Sequence, residues 1–110
     1  MARSFLGGLE LVAMIAILRL DNSAYGVAIS REIADVTGRE VALASIYVTL
    51  ERLASKGLVV SELGATSPER GGRAKRYFSL TPRGRREVRE AQRALTTLWQ
   101  DVPSFAGGKA

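Results

Sequence analysis

Cysteine and histidine are both absent from this 110-residue chain. Their absence excludes disulfides, thiol chemistry and the usual zinc and haem ligands, so any general acid–base catalysis would have to rest on carboxylates, lysine or tyrosine. Long hydrophobic runs are missing too. The longest, Leu11 to Leu18, falls far short of the ~20 residues a spanning helix needs, and Glu10 and Arg19 flank it. Arg3 supplies a weak positive start, but the apolar stretch runs on into Arg19 and Asp21 without a small-residue cleavage site. No signal peptide and no membrane partner are therefore expected, and a cytoplasmic location is. Gly71-Gly72 has neither the Walker spacing nor the Lys-Ser/Thr ending of a phosphate-cradling loop. No nucleophile–base pair and no internal repeat stand out, and neither a metal nor a cofactor is expected.

Apolar residues make up 46% of the chain, which argues for a folded domain. The net charge is +5, and its distribution says more than its sum. Between Arg70 and Arg93 nine cations face Glu87 and Glu90, a local balance of +7, whereas residues 1–69 carry six cations and eight anions, a balance of −2. Such a one-sided block suits a polyanion, of which nucleic acid is the commonest inside a cell.

The segment Leu43 to Gly57 combines two helical surfaces. Leu43, Ile46, Tyr47, Leu50, Leu53 and Ala54 form an apolar stripe, and Gly57 ends the helix. The opposite side carries Ala44, Ser45, Val48, Thr49, Arg52 and Lys56, with short side chains first and cations last. Small residues let a helix backbone approach base edges, Ser and Thr can exchange hydrogen bonds there, and Arg52 can reach guanine or phosphate. An ordinary solvated face can look the same, so the surroundings must decide.

Those surroundings are a first helix over Phe5–Leu20, apolar nearly all round, and a second over Ala24–Val36 with Tyr25, Ile29, Ile33 and Val36 on one side. Gly26 in its first turn costs about 1 kcal/mol relative to Ala, which points either to a close backbone approach or to a glycine that is simply tolerated. After Gly57, residues 58–63 and 75–80 read as strands joined by a loop rich in Gly, Ser, Pro and Arg. A basic hairpin after such a helix makes a winged helix-turn-helix, in a fold that is mainly α with one small β-hairpin. The wing tip around Glu69–Arg76 has glycines for close approach and arginines for phosphates or a narrow minor groove. Thr81-Pro82 then starts a last helix reaching Val102. Within it Val88, Leu95 and Val102, and also Ala91 and Leu98, recur every seven residues. Too short to stand alone, it reads as a dimer helix packing with its mate and with the first helix. The expected division is residues 1–81 for the winged domain with its N-terminal helix, 82–102 for the dimerisation helix and 103–110 for a flexible tail.

Residues 24–29 (Ala-Tyr-Gly-Val-Ala-Ile), 45–53 (Ser-Ile-Tyr-Val-Thr-Leu-Glu-Arg-Leu), 56–59 (Lys-Gly-Leu-Val) and 75–84 (Lys-Arg-Tyr-Phe-Ser-Leu-Thr-Pro-Arg-Gly) together resemble the PadR family of transcriptional regulators, over about Leu9 to Gly84. The resemblance implies a winged-helix repressor, dimeric through its terminal helices, that binds a pseudo-palindromic operator in double-stranded DNA. On matching positions it implies contacts from Ser45, Val48, Thr49 and Arg52 of the recognition helix and from Arg73 and Lys75 of the wing. The candidate DNA-binding set adds Tyr47, Arg70 and Arg76. Candidate homodimer contacts are Leu9, Val12, Val88, Ala91, Leu95, Leu98 and Val102. Trp99 is either an interface staple or one wall of a site for a small aromatic or hydrophobic effector between the subunits. The chain departs from the family in Val41-Ala42-Leu43-Ala44, which gives the recognition helix no side-chain N-cap acceptor. The rival readings are a winged-helix protein-interaction module without sequence-specific DNA binding, which the +7 block disfavours, and an RNA binder, which would want exposed stacking aromatics. An enzyme would need converging carboxylates, and Glu10, Glu32, Asp35, Glu51 and Glu62 have simpler roles as surface partners of Arg or Lys.

Overall fold

The computed structural model describes residues 7–64 and 75–103. Phe5, Arg70, Arg73, most of the expected wing tip and the tail beyond Pro103 lie outside the described residues. The first helix, α1, spans Gly8–Arg19. Its start is fixed by Glu10, whose Oε1 accepts a 3.0 Å hydrogen bond from the Gly7 N–H, one half of a capping box with an anion favourably placed at the positive end of the helix. It ends where Asp21 and Asn22 turn left-handed, with φ of 64° and 58°, a conformation Asp and Asn adopt more readily than other side chains. The Asn22 Oδ1 accepts a 2.8 Å bond from the Leu80 N–H and ties this turn to the hairpin.

Residues 24–25 were expected to open the second helix, and here the structure differs. Ala24 exchanges hydrogen bonds with Phe78, its N–H donating to the Phe78 carbonyl at 3.1 Å and its own carbonyl accepting at 2.7 Å, so it extends the sheet. Helix α2 begins only at Gly26 and runs to Thr37 (Gly26–Thr37), ending at Gly38 with φ 75°. Helix α3 covers Leu43–Ser55 and closes on Gly57 at φ 77°. Strands β1 (Val59–Leu63) and β2 (Arg76–Leu80) pair antiparallel, with Val59 opposite Leu80 and Leu63 opposite Arg76.

Helix α4, Pro82–Trp99, starts as the Thr-Pro pair predicts. The Thr81 hydroxyl accepts from the Gly84 N–H at 3.0 Å and donates to the Gly57 carbonyl at 2.8 Å, while the Thr81 N–H donates to the Leu58 carbonyl at 3.0 Å. The first turn of α4 is thus clamped to the turn after α3. The helix stops three residues before the expected Val102, because Asp101 is left-handed (φ 63°) and Val102 precedes Pro103, which disfavours helical backbone.

The core is built on α1, whose Ala13, Met14, Ala16 and Ile17 are buried against Ile29 and Ile33 of α2, Ile46, Leu50 and Leu53 of α3, Phe78 and Leu80 of β2, and Val88 of α4. Fully burying each large apolar side chain contributes on the order of 1.5–3 kcal/mol, which explains why a helix apolar on nearly every side sits at the centre. Past Ala91, the residues of α4 are exposed on all sides of the single chain.

Candidate nucleic-acid interface

Helix α3 turns Ile46, Leu50 and Leu53 inward and leaves Ala44, Ser45, Val48 and Arg52 exposed. Thr49 is the correction: only 5% of it is accessible. It faces a concavity of about 360 Å³ between α3 and the first turn of α1, shared with Leu9, Ala44, Ser45, Val48 and Arg52. Because α3 is packed from both the α1 and α2 sides, its buried arc is wider than the apolar stripe, and Thr49 falls within it. Leu9 lines that concavity at the flank of α3.

Tyr47 stands at the opposite edge of the arc, partly exposed, with its ring over Gly26. A Cβ on Gly26 would come within 2.5–2.6 Å of three Tyr47 atoms, so the expected close approach is there and its partner is the recognition helix. As the sequence implied, the N-cap of α3, Ala42, makes no side-chain cap.

At the base of the wing the Lys75 Nζ lies 3.6 Å from the centroid of the Tyr25 ring, and Tyr25 meets Tyr77 edge-to-face at 5.6 Å. Arg76 Nη1 donates to Ser61 Oγ at 3.0 Å. Both described wing cations are therefore held at the stem. The other described cations of the basic block sit elsewhere: Arg83, Arg85, Arg86, Arg89 and Arg93 are exposed on α4. Arg86, Arg89 and Arg93, spaced i, i+3, i+7, line the face opposite Ala91, Leu95 and Leu98.

The residues expected at a subunit interface divide in the same way. Leu95, Leu98 and Trp99 are exposed, Leu98 to 72% and Trp99 to 55%. Val88 belongs to its own chain's core, since α4 still lies on the domain at that turn, and Val102 lies beyond the helix. Val12 lines an apolar groove of about 160 Å³ between α1 and α2 with Ile15, Ala16, Ile33 and Val36, rimmed by the Arg19–Glu32 ion pair at 2.7 Å.

Glu10 was expected to be a surface partner of some Arg or Lys; the structure makes that partner Lys56 and buries the Glu10 side chain. Lys56 Nζ lies 3.0 and 2.9 Å from the two carboxylate oxygens of Glu10, joining the end of α3 to the start of α1. Burial pushes the Glu10 carboxyl up, but the Lys56 hydrogen bonds, the Gly7 N–H and the charges of Lys56 and Arg52 outweigh it and hold the carboxyl below its ordinary range. Glu10 at the third helical position was a legible capping signal; nothing in the chain pattern announced a partner 46 residues away.

Three helices, a β-hairpin after the third and an exposed outer face on that third helix define a winged helix-turn-helix domain with an appended C-terminal helix. The chain belongs to the transcriptional regulator PadR-like family, whose model matches residues 14–90. It is 37% identical over 82 residues to the transcriptional regulator Rv3488 of Mycobacterium tuberculosis, covering 74% of this chain and 72% of that protein. Among solved structures it is similar to a PadR family transcriptional regulator from Eggerthella lenta, at 30% identity and a TM-score of 0.66 over 82% of this chain and 80% of the other. It shares its fold with Bacillus subtilis PadR, solved in complex with operator DNA, at 18% identity and a TM-score of 0.65 over 77% of this chain and 46% of that one. These are regulators and not enzymes. No helix among the described residues is long and apolar enough to cross a membrane.

Proposed function

We propose that this chain is a homodimeric, sequence-specific repressor that reads a pseudo-palindromic operator with α3 in the major groove and the wing on the flanking backbone. The observation that carries this reading is the outer face of α3, where Ala44, Ser45, Val48 and Arg52 stand exposed on a helix anchored by Ile46, Leu50 and Leu53 in a PadR-family chain. Operator DNA bound by the Bacillus subtilis relative supports it. Dimerisation is supported by Leu95, Leu98 and Trp99, exposed along α4. A helix segment of that length is marginal in water without a cover. On this reading the protein works in the cytoplasm, with its DNA.

The test is fluorescence anisotropy of an inverted repeat from upstream of the gene against a scrambled duplex, over a salt series. Arg52→Ala costs about 1–3 kcal/mol and relaxes preference at one position of each half-site. Arg73→Ala weakens binding to all sequences alike and lowers the salt slope by ~1 per half-site. Equal affinity of the unaltered protein for both duplexes throughout the series refutes sequence-specific binding. Trp99 and its symmetry mate would flank a cleft suited to a flat hydrophobic effector that releases the operator. Saturable quenching of this single tryptophan, with operator and effector weakening each other by one common factor, tests that part.

A further inference from the structure

The Glu10–Lys56 pair has no part in the mechanism above, yet it sits beside the proposed recognition surface. Lys56 follows Arg52 by one helical turn on the same side of α3. Its ammonium is gripped by both oxygens of a carboxylate that is only 8% exposed and that takes a third hydrogen bond from the Gly7 N–H. Stability alone does not call for such a pair: the Lys56 side chain is still 44% exposed, and ion pairs open to solvent typically contribute only about 0–1 kcal/mol. A free lysine at this place would act differently. On a flexible four-carbon stem it is a compact point charge, suited to any phosphate and blind to sequence.

We propose that Glu10 is a positioning residue that holds Lys56 off the DNA backbone, so that the end of the recognition helix adds no sequence-blind phosphate contact. The inference rests on the DNA-binding reading above. Its test is the salt dependence of affinity, measured with the full chain on the operator duplex and on an unrelated duplex, for the unaltered protein, Glu10→Gln, Lys56→Gln and the double variant. Lys56→Gln leaves the slope unchanged, because Lys56 makes no phosphate contact to lose. Glu10→Gln frees the ammonium and steepens the slope on both duplexes by ~0.9 per subunit, or ~1.8 per dimer, which over a four-fold rise in salt is roughly a ten-fold larger loss of affinity. The double variant returns to the original slope. A purely bracing role would lower the melting temperature of the variants without moving the slope. Should the single variants fail to fold, the double variant, which leaves no unpaired charge, still decides: an unchanged slope supports the inference, and a slope shallower by ~1.8 shows Lys56 already on phosphate and overturns it. An unchanged slope in folded Glu10→Gln, or a shallower one in folded Lys56→Gln, overturns it likewise. Failure of the unaltered protein to bind any duplex is a separate result that removes the DNA-binding reading itself, and this inference with it.

Discussion

Replacing Gly84 with alanine separates two effects of the same methyl group. Gly84 is the third residue of α4, where Ala gains up to ~1 kcal/mol in helix propensity. Against that, a Cβ at this position would fall on the Leu58 carbonyl oxygen, far inside contact distance. That oxygen is backbone, it already accepts the Thr81 N–H, and Leu58 and Val59 on either side of the peptide are buried, so it has nowhere to move. The first turn of α4 must lift instead. Lifting it loosens the Thr81 N–H bond to Leu58 and the Thr81 hydroxyl bond to Gly57, each worth about 1 kcal/mol net. It also strains the cap on Gly84, worth about 1 kcal/mol, and draws Val88 partly out of the core. The balance is a destabilisation of about 2–4 kcal/mol. For a domain of this size that lowers the melting temperature by roughly 10–20 °C. Urea unfolding at one fixed protein concentration measures it, since on the proposed dimeric reading stability depends on concentration. A Gly84→Ala protein within about 0.5 kcal/mol of the original would refute the reasoning, because changes that small are what surface positions give.

In Gly26→Ala the nearest atoms met are those at the end of the Tyr47 side chain, so stability should change by less than about 1 kcal/mol, propensity gain offsetting ring displacement. Operator affinity should nevertheless fall if Tyr47 contacts DNA, and anisotropy with Tyr47→Phe and Tyr47→Ala alongside checks this. On the proposed dimeric reading, Leu98→Asp, at the most exposed apolar residue of α4, should shift sedimentation from dimer to monomer while the monomer's melting curve changes little, whereas Val88→Asp should unfold the chain. The lowered pKa of Glu10 means that its charge stabilises the fold above the unfolded-state value and that this contribution is lost as pH falls through the folded-state value. Acid unfolding of Glu10→Gln should therefore be less steep below about pH 4.5 than that of the unaltered protein.

The elements were legible wherever a single period governs a residue's surroundings. Ile46, Leu50 and Leu53 are inward because α3 repeats its apolar positions, and Thr81-Pro82 begins α4 because both cap and ring demand it. The period does not say whose core a residue enters. Val88 shares its seven-residue spacing with Leu95, yet Val88 is covered by its own chain, because the helix leaves the domain between the two. Nor does it say how wide an arc is buried. Thr49 is polar and at the edge of the stripe, yet it is buried beside the first turn of α1. Least legible were polar pairs of long separation: Glu10 with Lys56, Asn22 with the Leu80 N–H, and Lys75 over Tyr25. They depend on where elements end in space, which hydrophobic spacing does not encode.

Long-range contacts of this kind, Glu10 with Lys56 among them, bear on how an event at α4 would reach α3. Several connections run between these helices among the described residues. One is the clamp from Thr81 to Gly57 and Leu58, and another is α1, which meets Val88 of α4 within the core and Lys56 of α3 at its first turn. A third tie, from Arg19 to Glu32, fixes α2 to α1. Close-packed interiors do not deform continuously. A domain so cross-tied therefore turns as one body when α4 moves. On the proposed reading, a ligand between the subunits would then change the distance and angle between two intact recognition helices while leaving each helix in its own domain unaltered. The recognition face of Ala44, Ser45, Val48 and Arg52 would keep its base preference while the tolerated spacing between half-sites changed. The coupling would be only as strong as the ligand's differential affinity for the two spacings.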